Sequence, residues 1–114
     1  MYRCELVFGS EVHIYAVLRG AYQALLGTPL DDNEIEEVTE PRGFMIGVGQ
    51  TSTYSITIGA DVRISADTWW EDNIADPEEI AFGVSVRSPM ALDRVANAVI
   101  AAAASHGVPL RGRR

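Results

Sequence analysis

The chain contains no lysine: its nine basic residues are all arginine. That excludes a lysine Schiff base and a phosphate-binding lysine of the Walker type. A single cysteine, Cys4, excludes an internal disulfide framework and any zinc site built on several thiolates. No apolar run approaches the roughly 18–20 residues of a membrane-spanning helix. The first residues, Met1-Tyr2-Arg3-Cys4-Glu5, lack the basic and then apolar plan of a signal peptide. These absences lead to the expectation of a cytoplasmic protein with no membrane partner.

Catalytic material is equally scarce. The two histidines, His13 and His106, have no nucleophile or acid partner nearby in sequence. The first falls near the polar side of a predicted helix, the second in the last turn of another, where it would complement the dipole. Both read as surface histidines. Cys4 falls on the inward side of a predicted strand and reads as a buried structural thiol. Asp31-Asp32-Asn33-Glu34 lacks the alternation and the glycine of a calcium loop. Gly47-Val48-Gly49 is not followed by the helix that a dinucleotide site needs. Ser85 and Ser88 stand in no nucleophile elbow. The expectation is a non-catalytic protein with no cofactor and no metal.

What is present is a core and an uneven charge. Hydrophobic residues make up 47% of 114 residues, enough for one domain spanning 1–114 without staples. The formal net charge is −7. Between Asp31 and Glu79 stand thirteen acids against Arg42 and Arg63, a balance of −11. Elsewhere three acids face seven arginines, a balance of +4, and Arg111, Arg113 and Arg114 close the chain. Residues 108–114 are expected as a basic, flexible tail. An acidic middle disfavours nucleic acid and favours a basic protein partner through electrostatic steering.

Hydrophobic periodicity supplies the elements. Tyr2, Cys4, Leu6 and Phe8 alternate as a half-buried strand. Glu11–Leu26 carries a helical stripe of Ile14, Val17, Leu18, Ala21, Tyr22, Leu25 and Leu26, with Ser10 as the expected cap and Gly27 as the stop. A short strand is predicted at Ile35–Thr39, then a turn at Pro41-Arg42-Gly43, then a strand through Phe44, Ile46 and Val48. From Tyr54 to Ala66 the apolar residues all fall on even numbers. One strand of that length would run about 43 Å, too long for this domain. The pattern therefore predicts a hairpin turning at Gly59-Ala60-Asp61, with Ile58 opposite Val62 and Ile56 opposite Ile64. A last strand spans Ile80–Arg87, and Ser88-Pro89 opens a second helix with the stripe Leu92, Val95, Ala96, Val99, Ile100 and Ala103. The predicted fold is an α+β two-layer sandwich: a mostly antiparallel sheet of about five strands with two helices on one face, in the order β-α-β-β-β-β-α.

The adjacent tryptophans fall in Asp67–Glu79, a stretch rich in acids. If the strand continues, Trp70 faces the core side and Trp69 the open side. If it has ended, a loop tucks both in. An exposed tryptophan among carboxylates is the composition of an interface anchor. The candidate partner-binding residues are therefore Trp69, Trp70, Glu71, Asp72, Asp76, Glu78 and Glu79, with Asp31, Asp32, Glu34, Glu36 and Glu37 as a second acidic segment. The first reading of function is a small acidic inhibitor that occludes a basic protein. Bacterial immunity proteins and inhibitors of nucleic-acid-targeting toxins are of that physical type. A second reading is a secretion or assembly chaperone. A third is a ligand-binding or enzymatic domain with a pocket between sheet and helices, for which Tyr15, Tyr22, His13 and Trp70 are conceivable lining residues.

Overall fold

The computed structural model describes residues 1–42, 49–71 and 79–114, the side chains of 40–42, 49–51 and 68–71 excepted. Six strands form one antiparallel sheet: β1 (Tyr2–Gly9), β2 (Glu36–Arg42), β3 (Gly49–Ile58), β4 (Val62–Glu71), β5 (Glu79–Val86) and β6 (Leu110–Arg113). Their spatial order is β2-β3-β4-β5-β1-β6. Two helices, α1 (Ile14–Leu26) and α2 (Pro89–Ala104), lie on one side of the sheet. The fold is the expected α+β sandwich, with one strand more than predicted.

Alternation builds the core. Across the sheet, Ile56, Ile64, Val84 and Cys4 form one row of facing residues, and Tyr54, Ala66, Phe82 and Leu6 form the next. All eight point to the helix-covered side, and all but Tyr54 are buried. The hairpin predicted at Gly59-Ala60-Asp61 is present, with Ile58 opposite Val62 and Ile56 opposite Ile64. Gly59 takes a φ of 60°, which glycine adopts without a Cβ penalty. Phe8 and Phe82 meet edge to face, their centroids 5.7 Å apart at 88°. That geometry puts the positive ring edge on the negative ring face, and truncating either ring to alanine costs about 3–5 kcal/mol.

Several boundaries differ from the sequence reading, each for a local reason. Helix α1 begins at Ile14 and not at Glu11, and its N-cap is His13, not Ser10. The His13 Nδ1 accepts from the Ala16 N–H at 3.2 Å, the job a serine oxygen would do. Residues 9–12 instead turn through a Val12 N–H to Gly9 carbonyl bond, which buries Val12. Pro41 and Arg42 belong to β2 and not to a turn, and β2 is an edge strand, where proline is tolerated. Strand β3 begins at Gly49; the strand expected through Phe44, Ile46 and Val48 lies outside the described residues except for that start. Ser88 occupies the N-cap of α2 with Pro89 in the first turn, but its side chain makes no capping bond. His106 lies beyond the end of α2, in the turn that Gly107 completes with a φ of 80°.

The largest departure concerns the chain end. Residues 110–113, expected within a tail, form β6 and pair with β1. Glu5 and Arg114 exchange two backbone hydrogen bonds of 2.8 Å. The register shifts between Val7 and Phe8, leaving Arg111 as an extra residue on β6. Leu110 supplies one partly buried apolar group, too few for an alternation to be read from sequence. Arg113 stands opposite Leu6 and reaches Asp93 of α2 at 2.7 Å.

The helices touch where Gly20 of α1 meets Ala102 of α2. A Cβ at Gly20 would lie 2.9 Å from the Ala102 Cβ, closer than such atoms approach. On helix propensity alone Gly20→Ala would gain about 1 kcal/mol. The contact reverses the sign: Gly20→Ala should lower the thermal unfolding midpoint, by an overpacking cost of about 1–3 kcal/mol. Adding Ala102→Gly should recover most of that loss. Calorimetry of the two variants checks it.

Candidate functional site

Of the acidic residues predicted as a partner surface, the fold holds Asp31–Glu37 apart from Glu71 and Glu79, the described members of the second segment. Asp31 caps a single 3-10 turn at Asp32–Glu34 by accepting from the Asn33 N–H at 3.0 Å. Glu36 and Glu37 follow at once as the first residues of β2, and all five carboxylates are exposed. Glu71 ends β4 at the opposite end of the sheet, across β3 from Arg42. Ser65, which lines up with Glu36 across β3, is six residues from Glu71 along β4. At about 3.3 Å per residue Glu71 is roughly 20 Å from Glu36 along the strands.

The tryptophans belong to the strand and not to a loop. The backbones of Trp69 and Trp70 pair with Thr51 and Gln50 of β3, so the chain has not left the sheet at Ala66. Their side chains and those of Glu71, Asp72, Asp76 and Glu78 lie outside the described residues. Glu79 opens β5 opposite Gly9 and is exposed. It shares a cleft of about 220 Å³ with Val7, Arg111, Gly112, Arg113 and Arg114. Glu79 therefore lies on the basic side of the molecule, away from Asp31–Glu37.

Charge pairing separates the first acidic group further. Asp32 is held by Arg19 of α1 through contacts of 3.0 and 3.2 Å to its two oxygens. Glu34 and Glu36 form no ion pair among the described residues. Strand β2 ends the sheet on that side, so these carboxylates border solvent. Val38, on the same strand, is 42% exposed.

The alternation of β2 sends its two leading carboxylates to different sides. Glu36 faces Ser55 and Glu37 faces Tyr54, the residue that begins the helix-covered row. Glu37 thus stands at the outer end of a core row, under the start of α1. The Tyr15 hydroxyl approaches its Oε2 at 3.4 Å, a long contact for an O–H donor. The Tyr15 and Tyr54 rings meet at 5.6 Å and 74°. Together with Val12, His13 and Ile14 they line a cleft of about 300 Å³. Two residues named from sequence as possible pocket lining, His13 and Tyr15, are brought together here. Tyr22 of that set packs against the core instead. Glu37 and Tyr54 were not foreseen as pocket residues, because only the β2–β3 register places them side by side.

The open sheet face carries ordinary polar pairs. Glu5 stands between Arg3 at 3.6 Å and Arg114 at 3.9 Å, and Thr53 donates to Asp67 at 2.7 Å. Exposed pairs of this kind contribute about 0–1 kcal/mol. No group of three or more metal-ligating side chains occurs among the described residues, and no helix there is long and apolar enough to cross a membrane. Comparison of the chain with protein-family models, with curated proteins and with solved structures finds no match.

The Tyr15 hydroxyl is held above the ordinary tyrosine pKa, first by desolvation and then by the negative charge of Glu37. A raised phenol pKa means that the folded state favours the neutral ring. The stabilisation is therefore complete below about pH 10 and is lost as pH rises through the folded-state value. Glu37→Gln should move the Tyr15 titration down toward the ordinary value without abolishing the shift, since desolvation remains. Carbon-13 NMR of labelled tyrosine, with Tyr15→Phe to assign the signal, measures this directly.

Proposed function

We propose that the protein is a small, non-catalytic binding protein that occludes a basic surface of another protein, as an immunity-type inhibitor does. The observation that carries the reading is the acidic edge: Glu34 and Glu36 lie exposed on and beside an outer strand, with no cation of the described chain paired to them. Unpaired surface carboxylates raise the rate of encounter with a cationic partner and fix its orientation. Val38 beside them offers apolar contact on the same strand. A nucleic-acid-targeting toxin has such a cationic surface, because it must hold phosphates.

The roughly 20 Å between Glu36 and Glu71 sets the footprint. A partner engaging both must cover the length of β2, which is the scale of an ordinary protein–protein interface of about 800 Å² per side. Like charges on an edge strand also discourage strand addition by other copies, and that role is compatible with docking. A cytoplasmic setting belongs to this proposal. Among the described residues the exposed large apolar side chains, Met1 and Tyr2 at the start of the chain, Leu26, Val38 and Met90, are scattered over four places and give the chaperone reading no specific support.

The test is capture on the immobilised protein at low salt from lysate of its source cells, then purification of the retained protein for kinetics. The parent should hold a basic protein, and Glu34→Gln/Glu36→Gln should slow its association by roughly tenfold and flatten the salt dependence of the rate. An equal rate for parent and variant, or no basic protein retained, would overturn the reading.

A further inference from the structure

We infer that the cleft at the start of α1 is a receptor for a guanidinium group, supplied by an arginine side chain of the basic partner; this rests on the partner reading above. The cleft joins two features that suit a guanidinium: aromatic rings and a carboxylate with no ion-pair partner among the described residues. The Tyr15 and Tyr54 rings meet edge to face, 5.6 Å apart at 74°, and Glu37 lines the same cleft. A guanidinium is planar and weakly hydrated, so it stacks on a ring while its N–H fork binds a carboxylate. An ammonium is a strongly hydrated point charge and gains less from such a site.

Glu37 has capacity to spare. A carboxylate offers about four acceptor positions. Glu37 carries one long contact from the Tyr15 hydroxyl and no ion pair among the described residues. The neighbouring Asp32 shows the alternative, since Arg19 already occupies both its oxygens. Arg19 is one helical turn from Tyr15, so the chain makes, a turn away, the pairing that the cleft leaves open. The His13 Nδ1 is committed to the Ala16 N–H.

Size and position agree with a side chain as the occupant. About 300 Å³ is the lower limit of small-molecule pockets and suits the end of one side chain. Val12 and Ile14 line the cleft with apolar groups against which the methylenes of an arginine stem pack. Glu36 and Glu37 are consecutive on the edge strand and face opposite sides of it. A partner laid across β2 would meet Glu36 as a rim charge and place an arginine in the cleft as a central anchor.

The test titrates the labelled protein with N-acetyl-arginine amide, using N-acetyl-citrulline amide as its uncharged counterpart. The arginine probe should give saturable amide shifts at Val12–Tyr15, Glu37 and Tyr54, and citrulline should bind at least roughly tenfold more weakly. Glu37→Gln should weaken the arginine probe by a similar factor, and Tyr54→Phe should keep binding where Tyr54→Leu loses it. Equal binding of the two probes would overturn the proposal. So would shifts confined to Glu34 and Glu36, which mean unspecific charge attraction. The captured partner separates the two readings: a partner that binds the parent and Glu37→Gln alike defeats the guanidinium site and leaves the acidic edge standing. Retention of no basic protein defeats the partner reading itself.

Discussion

The fold depends on one constraint: a sheet with a single apolar face must have that face covered. Cys4, Leu6 and Phe8 of β1, Tyr54, Ile56 and Ile58 of β3, Val62, Ile64 and Ala66 of β4, and Ile80, Phe82, Val84 and Val86 of β5 all turn to the same side, and antiparallel pairing lines them into rows. Shifting any one strand by a residue would send its whole apolar set into water. Two helices cover the rows, α2 over β1 and β5 and α1 over β3, and they approach each other closely because Gly20 and Ala102 have almost no side chain between them. The core is thus held by register and by the closeness of one helix crossing, with the Phe8–Phe82 contact at its centre.

The same constraint explains where the charged groups sit. A row of core residues cannot stay apolar past the helices that cover it. The row through Ala66, Phe82 and Leu6 runs out through Tyr54 to Glu37 at one edge and to Arg113 at the other. Each terminal charge reaches up to a helix: Glu37 to the Tyr15 hydroxyl, Arg113 to Asp93. One pairing is short and charge-compensated. The other is long and leaves a carboxylate beside two aromatic rings. That difference leaves one edge of the sandwich with a charge-paired row end and the other with a candidate binding cleft.

The electrostatic polarity of the molecule has the same origin in topology. The strand order places β2, with its leading glutamates, at one edge and β6, with its arginines, at the other. The acids of the middle of the chain that the structure describes do not all fall together: Asp31–Glu37 lie at the start of β2, Glu71 ends β4 roughly 20 Å away in the strand direction, and Glu79 is carried round to the arginine side. A partner of the acidic edge therefore meets a line of charge, with Val38 and the Tyr15–Tyr54 cleft on its two sides.

The sequence by itself determined the architecture class, the hairpin and its register, and the core-facing stripes of both helices apart from Leu26, which ends α1 47% exposed. These follow from periodicity, and periodicity is a local property repeated over enough residues to be unambiguous. The alternation from Tyr54 to Ala66 left one register that keeps its apolar groups together. The helix start was less legible, because a histidine nitrogen did the work expected of a serine oxygen. Strand β6 was not legible at all, since four residues with one apolar group carry no pattern, and only the free side of β1 gives them a place. Tertiary structure alone decided the candidate cleft. His13, Tyr15, Glu37 and Tyr54 come from a cap, a helix and two strands, and no spacing relates them. They meet because β2 pairs with β3 in one register and α1 is laid over that corner, which is a consequence of covering the apolar face.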